Sequence, residues 1–408
     1  MTDHWEVIVI GAGAAGILAA TTAAERGKKT LLLEKNRRPG MKILMSGGTR
    51  CNITHNTQSR GIVAAFGRQG KFLHSALAAL SPQAVIARIE AEGVGTKVEP
   101  NGKIFPVSDK AADVLAALWA PLERSGCTFA REEPVQDLVR SGEQFLLRTS
   151  LRELTADKVI VTTGGKSYPG SGTQGDGYPW LAELGHTIIT PRPALTPITT
   201  NDSWAPELKG VAAPAILEVI EPGRKKPLAQ RREAVLFTHF GLSGPAVLDV
   251  SRAVSGHANP QALRLRCDFF PDDTIDSLDE WLRNPEHGGK FVSGVINQKI
   301  IRRLGEAIQT LADVPLATRA SELSRKDRRR LVETLKRLEI SVSGVRGFKK
   351  AEVTAGGVDL AEVDSSTMQS KRVPHLYLAG EILDLDGPIG GYNFQAAFST
   401  GYLAGQSV

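Results

Sequence analysis

The sequence predicts an α/β fold in which the two ends of the chain build one domain around an inserted middle. Residues 6–34 read as strand, glycine-rich turn, helix and strand, and the same α/β character returns after residue 352. Between these ends, residues 195–275 contain strand-like runs without regularly alternating helices, and residues 276–340 are helical and highly charged. The length of 408 residues is sufficient for two or three domains.

The expected domain boundaries follow from these changes in pattern. We expect a Rossmann-type domain over 1–194 and 352–408, a β-rich insertion over 195–275 and 341–351, and a helical insertion over 276–340. Three prolines in the run PRPALTPITT suit a crossover between the first two.

Each predicted element has a local signal. The first unit consists of the strand EVIVI, an Ala-rich helix closed by Gly27, and the strand KTLLLE. The segment VEPNGKIFPVS (98–108) reads as a hairpin with Asn-Gly at its turn. Ser108 and Asp109 are expected to open an amphipathic helix, and Ser324 with Asp327 resembles a capping box that opens another.

Composition narrows the class of protein. A net charge of +6 permits an anionic partner without requiring one. Cys51, Cys127 and Cys267 have no paired spacing, which favours a reducing compartment over a disulfide framework. We find no signal peptide, no apolar run of membrane-spanning length, and no histidine spacing typical of a metal site. We therefore expect a cytoplasmic protein without a metal centre.

The run GAGAAG after the first strand is a dinucleotide-binding fingerprint. Gly11 permits the tight turn, Gly13 lets the backbone approach a pyrophosphate, and Gly16 allows close packing of the helix that begins around Ala14 and Ala15. Glu34 follows Gly16 at about the distance expected for an acid that binds a ribose hydroxyl. The pattern favours FAD or NAD over NADP.

A second match to the glycine pattern lies at Gly170, Gly172 and Gly175. A proline precedes it and no strand adjoins it, so we predict a flexible loop there rather than a second nucleotide site. No other segment offers a second Rossmann unit. NAD(P)H, if it is a transient co-substrate, would have to bind in a non-standard way.

Several further segments resemble the YhiN/BaiN-like flavoproteins, a family of NAD(P)/FAD-dependent oxidoreductases also described as aminoacetone-oxidase-type FAD-binding enzymes. The resemblance extends over nearly the whole chain. Thr49 and His55 stand where glycine and asparagine are usual in the family. The segments that carry the resemblance are GMKILMSGGTRCNITH (40–55), TTGGKSYPGSGTQGDGY (162–178), LFTHFGLSGP (236–245), VTAGGV (353–358) and LYLAGEILDLDGPIGGYNFQAAFSTG (376–401).

The resemblance implies FAD as cofactor, a Rossmann-type FAD-binding domain, a β-barrel-like insertion and a small helical insertion. It places Glu381 on the ribityl chain of the flavin. It also implies that the helix beginning near Gly390 and Gly391 directs backbone N–H groups at the flavin N1–C2=O edge. The remaining expected cofactor-binding residues are Lys35, Lys42, Ser46, Gly47, Gly48, Thr49, Arg50, Cys51, Asn52, Val135, Thr163, Gly164, Gly380, Tyr392 and Asn393.

The catalytic candidates are His239 and Tyr392. His239 follows an apolar strand and precedes a Gly/Ser/Pro loop, which suits a general acid or base, although a structural histidine fits the same position. Tyr392 lies in a glycine-rich loop and can orient a substrate. Cys51 has no second cysteine nearby, so we interpret it as a packed or flavin-contacting thiol rather than a redox partner.

The leading functional hypothesis is hydride transfer between flavin N5 and an unidentified small organic substrate. Whether the enzyme is an oxidase or an NAD(P)H-dependent reductase stays open. A flavin-dependent RNA-modifying or RNA-binding protein is one alternative, suggested by the basic runs at 224–232 and 325–337. Acidic residues are interspersed and aromatics are lacking there, so we do not expect nucleic acid as partner. A low-turnover redox sensor is the other alternative.

Overall fold

A computed structural model describes the chain from Asp3 to Val408. Residues divide into two compact units: 1–192 together with 352–408, and 193–351. The N-terminal and C-terminal segments, which the insertion separates in sequence, thus belong to one unit. The further division of the insertion into a β-rich and a helical part stays a prediction.

The N-terminal part of the first unit is a parallel α/β structure with a hairpin attached. Its strands are β1 Asp3–Ile10, β2 Thr30–Leu33, β3 Thr54–His55, β4 Thr96–Val98, β5 Lys103–Pro106, β6 Thr128–Ala130, β7 Val135–Ser141, β8 Gln144–Thr149, β9 Glu153–Val161 and β10 Ile188–Ala194, the last of which crosses the boundary between the units. Its helices are α1 Ala14–Glu25, α2 Met41–Met45, α3 Ser59–Ala65, α4 His74–Ala79, α5 Pro82–Ala91, α6 Ala111–Arg124 and α7 Gly177–Glu183.

The second unit contains seven strands and five helices among its described elements. The strands are β11 Ile198–Thr199, β12 Ala212–Ile220, β13 Ala229–Thr238, β14 Gly241–Ser243, β15 Arg264–Asp268, β16 Leu338–Ser341 and β17 Gly344–Val345. The helices are α8 Pro245–Ser255, α9 Ile275–Leu282, α10 Val292–Ile296, α11 Arg302–Leu311 and α12 Arg325–Lys336. All seven strands form one antiparallel sheet in the order β16-β15-β12-β13-β14-β11-β17.

The chain then returns to the first unit with β18 Val353–Val358, β19 Leu376–Leu378 and α13 Tyr392–Ser407. The main sheet has the order β6-β2-β1-β9-β8-β7, and β19 pairs in parallel with β9. β1 is parallel to both β2 and β9. The apolar side chains of these three strands are buried, as is usual in parallel sheets. The carboxyl ends of β1, β2, β9 and β19 therefore share one edge, where α/β folds bind ligands.

Two local expectations meet the structure differently. The predicted hairpin is confirmed, because β4 and β5 pair and Gly102 occupies the turn with φ +79°. The predicted cap at Ser108 and Asp109 is wrong, since α6 begins at Ala111. Asp109 adopts φ +55° and pairs with Lys97, while the carbonyl of Thr49 accepts the N–H of Ala111 at 2.8 Å and so satisfies the helix start.

Among the described residues, no single helix is both long and apolar enough to cross a membrane. One bent pair, Gln69–Ala79 with Pro82–Ala91, meets the length and composition criteria only when both helices are taken together.

Candidate functional site

The fingerprint turn joins β1 to α1 at the ligand-binding edge of the sheet. A Cβ atom on Gly16 would lie 1.8 Å from the carbonyl oxygen of Gly11, and one on Gly11 (φ +103°) would lie 2.8 Å from that of Thr162. Both glycines are therefore required by packing. A Cβ on Gly13 would meet nothing within 4 Å, so the backbone there is open to a ligand. This geometry fits the pyrophosphate of a dinucleotide at the start of α1, where Ala14 and Ala15 begin the helix.

Glu34 closes the other side of this turn. Its carboxylate accepts the N–H groups of Ala12 (2.9 Å) and Asn36 (2.8 Å), which hold it at the end of β2. Burial raises the pKa of Glu34, and these two hydrogen bonds oppose that effect. Each carboxylate oxygen keeps a further lone pair, so the arrangement fits an acid that accepts ribose hydroxyls.

The neighbouring Lys35 and Val135 are placed differently. The Lys35 ammonium pairs with Asp176, and a hydrogen bond from the amide of Asn36 to the carbonyl of Ser171 (3.1 Å) adds a second tie to the same loop. The loop with the second glycine pattern is thus packed against the end of β2, and no strand directly adjoins it, since β9 ends at Val161. Val135 begins β7, two residues after Glu133, whose N–H donates to the carbonyl of Glu34 at 3.0 Å.

The C-terminal segment packs directly on the fingerprint helix. A Cβ on Gly401 would lie 2.2 Å from the carbonyl oxygen of Ala15, and one on Gly405 would lie 2.5 Å from that of Ala19. Gly380 (φ +76°) lies against the side chain of Ala15, and its N–H donates to the hydroxyl of Thr400 at 3.0 Å. Close packing of α13 on α1 therefore brings Gly380 and Glu381 beside the fingerprint.

Glu381 is the centre of a polar cluster. Its carboxylate pairs with the Lys42 ammonium and accepts the hydroxyl of Ser167 at 2.6 Å and the N–H of Thr354 at 2.8 Å. Lys42 also donates to Ser167 at 2.6 Å. The cluster joins four of the sequence segments quoted above. Ser167 and Thr354 lay within those segments without being predicted as site residues.

A buried hydroxyl lies unpaired near this cluster. Thr163 follows β9, and its Oγ1 atom is buried without a hydrogen-bond partner in the described chain. Gly164, next to it, adopts φ +74°. An unpaired buried hydroxyl beside a glycine turn suits a polar ligand, so Thr163 and Gly164 fit the cofactor role predicted for them.

The loop from Ser46 to Asn52 is strained. Gly47, Gly48, Thr49 and Cys51 all have φ between +55° and +68°, a region that β-branched residues rarely adopt. The Ser46 hydroxyl donates to the carbonyl of Ile43 at 2.9 Å and anchors the loop to α2. The strain lies at Thr49 and Cys51, which are not glycines, and strain of this kind is typical of functional loops; Gly47 and Gly48 beside them are exposed.

Two residues of this loop have their polar groups engaged within the protein. The Arg50 guanidinium stacks on Phe105, 4.0 Å from the ring centroid, and donates to Glu99 at 2.7 Å. Burial raises the pKa of the Cys51 thiol to about 12, which leaves it protonated at neutral pH. This agrees with the interpretation of Cys51 as a packed thiol.

The segment from Asn52 to His55 contacts the start of α13. The Asn52 amide, oriented to satisfy its neighbours, accepts the N–H of Gly391 at 2.9 Å. The His55 ring stacks on Tyr392 with centroids 4.7 Å apart, and its Nδ1 atom lies 3.2 Å from the carbonyl oxygen of Gly390. The Asn393 amide bonds both the N–H and the carbonyl of Gly387, so its side chain closes the preceding loop.

The two catalytic candidates belong to different compact units. Tyr392 is the first residue of α13 in the first unit, directly after the Gly390-Gly391 turn. His239 lies in the turn between β13 and β14 of the second unit, edge-on to Phe240 at 4.9 Å. Their catalytic roles stay predictions. No group of three or more metal-binding side chains occurs between Asp3 and Val408.

The basic helix α12 is largely committed to contacts within the second unit. Arg328 pairs with Asp279 at 2.6 Å, Arg330 bonds the carbonyl of Asp313 at 2.7 Å, and Lys336 pairs with Asp268 at 2.7 Å. Arg325 and Lys326 lie exposed at the helix start. Only part of the basic run thus presents charge to a partner.

The model of the HI0933-like protein Rossmann domain matches residues 5–407. The chain belongs to this HI0933-like family. This membership confirms the Rossmann-type FAD-binding fold and the prediction of an FAD-dependent oxidoreductase.

Relatives that match the chain over nearly its full length, from three bacteria, carry two different names. The ribosomal RNA dihydrouridine synthase of Escherichia coli is 32% identical over 100% of this chain and 98% of its own length. The 3-dehydro-bile acid delta(4,6)-reductase of Clostridium scindens is 31% identical over 98% of both chains. A ribosomal RNA dihydrouridine synthase of Haemophilus influenzae is 28% identical over 100% of this chain and 99% of its own.

Solved structures share the fold at low identity. The 3-ketosteroid delta1-dehydrogenase of Sterolibacterium denitrificans superimposes with a TM-score of 0.51 at 13% identity over 99% of both chains. The quinol fumarate reductase subunit FrdA of E. coli has a TM-score of 0.50 at 16% identity and covers 100% of this chain and 70% of its own.

Proposed function

We propose that this family member is an FAD-dependent reductase of a carbon–carbon double bond conjugated with a carbonyl group. The names of its full-length relatives support this chemistry. Dihydrouridine is uridine without the C5–C6 double bond, which is conjugated with the C4 carbonyl. A 3-dehydro steroid with double bonds at positions 4 and 6 is conjugated with its C3 ketone. The two unlike substrates thus require the same reaction. Hydride is added at the carbon of the conjugated double bond that lies farther from the carbonyl group, and a proton is added on the side of the carbonyl group.

The observation that carries the proposal is the joint packing of the fingerprint turn and the C-terminal segment within one unit. Gly13 and Glu34 would hold the pyrophosphate and the ribose of FAD, and the Glu381 cluster would hold its ribityl chain. When bound and reduced, the flavin supplies hydride from N5. The start of α13 contributes positive potential, which favours negative charge on a bound group.

The chain's own residues must deliver the proton. We propose Tyr392 as the donor, because it begins α13 in the same unit as the cofactor cradle, and a phenol can protonate a carbon that carries enolate charge. His239 is the second candidate. Replacing each by a residue of similar shape, Tyr392→Phe and His239→Asn, separates them: loss of turnover with flavin reduction unchanged identifies the donor.

Contrary to the expectation from the sequence that nucleic acid is not a partner, we favour uracil in ribosomal RNA as the substrate, because two of the relatives are named for that reaction. The second unit contains 25 lysines and arginines against 19 acidic residues, and so carries the whole net charge of +6, while the first unit is neutral. A net positive charge located in one unit suits binding of a polyanion such as RNA. The similarity to the bile acid reductase supports a steroid-like conjugated ketone as the second candidate.

One anaerobic experiment tests the reaction and the substrate. The protein is reconstituted with FAD, reduced with NADPH, NADH or dithionite, and mixed with unmodified ribosomal RNA or with a 4,6-dien-3-one steroid. We expect RNA to reoxidise the flavin and to contain dihydrouridine by mass spectrometry. Reoxidation by the steroid alone would move the assignment to the second candidate, and reoxidation by neither would reject both. Reduction by NADPH or NADH identifies the donor.

A further inference from the structure

His55 is enclosed between two turns of the chain. On one side, a Cβ on Gly102 would lie 2.6 Å from its Nε2 atom, so the β4–β5 turn packs closely against the ring. On the other side, the ring stacks on Tyr392 with an interplanar angle of 21°, and Nδ1 meets the carbonyl of Gly390 at 3.2 Å. The imidazole therefore fills the space between the hairpin and the start of α13.

Its chain neighbours fix the same part of α13. The Thr54 hydroxyl donates to the Gln395 side chain at 2.7 Å, and a Cβ on Gly391 would lie 2.6 Å from the backbone of Thr54. The Asn52 amide holds the N–H of Gly391. Asn52 and Thr54 thus hold the start of the helix, and His55 contacts the Tyr392 ring and the Gly390 carbonyl.

A neutral imidazole suits this position. Burial lowers the pKa of His55, and the positive charge of Lys103 acts in the same direction, against the hydrogen bond with Gly390. With Nδ1 as donor, the neutral ring holds the Gly390 carbonyl, and it adds no positive charge of its own beside Lys103 and the helix N-terminus.

We propose that His55 is a positioning residue that sets the orientation of Tyr392 and of the first N–H groups of α13 toward the flavin. The inference rests on the proposed function only in placing FAD at this helix start. Displacement of preorganised dipoles by a fraction of an ångström weakens their interaction with charge that develops on reduction. Loss of the imidazole is therefore expected to disfavour the reduced cofactor relative to the oxidised one.

The test uses three substitutions and no substrate. His55→Ala removes the stack and the hydrogen bond, His55→Phe keeps a ring without the donor, and His55→Asn keeps an amide donor without the ring. His74→Ala, an exposed histidine at the start of α4, is the control. For each protein we would measure FAD affinity, the visible spectrum of the bound flavin, its two-electron reduction potential and the thermal midpoint.

We expect His55→Ala to weaken the preference for reduced over oxidised flavin about tenfold, equivalent to about 30 mV for a two-electron couple, and to change the flavin spectrum. His55→Phe and His55→Asn should each recover part of the shift, and His74→Ala should match the wild type. A lower thermal midpoint with unchanged potential and spectrum in all three variants would overturn the proposal, as would failure of the wild type to bind FAD. If the His55 variants change the flavin potential and spectrum as expected but the wild type reduces no substrate, the proposed function is rejected and this inference stands.

Discussion

Glycines in the fingerprint differ in what they do, although the sequence pattern treats them alike. Gly16 is required by contact with the Gly11 carbonyl, whereas Gly13 faces open space. The spacing of the motif predicted both because the turn and the packing are local. Only the surrounding atoms show which glycine is needed for packing and which is needed for binding a ligand.

Substitution of the two glycines by alanine separates these requirements. Gly16→Ala should destabilise the protein by roughly 1–3 kcal/mol through overpacking. Gly13→Ala should leave the unfolding free energy within about 0.5 kcal/mol and lower FAD affinity at least tenfold. Urea denaturation and fluorescence titration measure the two effects. Wild-type FAD affinity in Gly13→Ala would contradict the placement of the pyrophosphate.

Thr49 is a β-branched residue at φ +68° in an exposed loop. Left-handed backbone costs such a residue roughly 1–2 kcal/mol, and glycine costs about 0.5–1 kcal/mol of chain entropy instead. Thr49→Gly should therefore raise the unfolding free energy by about 0.5–1 kcal/mol. Thr49→Ala, which keeps a Cβ atom, is the matched control and should gain less. A loss of stability in Thr49→Gly would show that the threonine side chain is needed in the loop.

Some residues of the candidate site belong to a local sequence motif, and others join the site only through the tertiary fold. Gly11 to Glu34 form one local unit. Ser167 and Thr354 reach Glu381 only through the tertiary fold, since 214 residues separate Ser167 from the carboxylate it bonds. Glu99 and Phe105 engage the Arg50 guanidinium, contacts that the sequence did not indicate, and the cofactor role of Arg50 stays a prediction. Charge alone does not reveal which partner a side chain will meet.

Among elements, the segment after β18 owes its structure to a buried polar network. His186 lies between Glu362 (3.0 Å) and the hydroxyl of Ser370 (2.9 Å), and Thr187 donates twice to Glu362. These bonds tie the start of β10 to the connection between β18 and β19, which contains little regular structure. The sequence offered no signal for this network because His186 and Thr187 are 175 to 184 residues away from the groups they bond.

The network predicts a specific loss of stability in acid. The hydrogen bond from Arg372, with further donors, lowers the pKa of Glu362 from 4.5 to about 2. A carboxyl group with a lowered folded-state pKa stabilises the fold above its unfolded pKa, and that contribution disappears as pH falls from about 4.5 to about 2. Thermal midpoints measured across this range should fall more steeply for the wild type than for Glu362→Gln. Glu183→Gln, an exposed helix residue, should follow the wild type, and parallel curves for all three would refute the assignment.

Strands and helices with strong local patterns were predictable, and their ends were less so. The periodicity of residues 6–34 indicated β1, α1 and β2 directly. α6 begins at Ala111 and not at the predicted cap of Ser108 and Asp109. The Thr49 carbonyl, 62 residues away, accepts the N–H of Ala111 that a side-chain cap would otherwise have bonded. Caps supplied by distant backbone are invisible to a search for capping residues.

For the whole molecule, the division of charge between the two units has a measurable consequence. If RNA binds through the second unit, the logarithm of the binding constant should fall linearly with the logarithm of salt concentration. Neutralising the exposed Arg325, Lys326 and Arg329 together should reduce that slope by about 2–3, at about 0.9 per phosphate contact. Removing three exposed charges from the neutral unit, in Arg60→Gln/Arg68→Gln/Lys71→Gln, should leave it unchanged. Equal slopes for the wild type and both triple variants would argue against RNA contact through α12.

The packing of α13 on α1 also bears on how the protein is made. A ribosome releases the fingerprint helix early and the glycine face that covers it last, after the whole insertion has been translated. A chain that stops short of Gly401 lacks the glycine face that packs on Ala15 of the fingerprint helix. We therefore expect such a truncated chain to retain less FAD than the full chain, which absorbance of the purified proteins would measure.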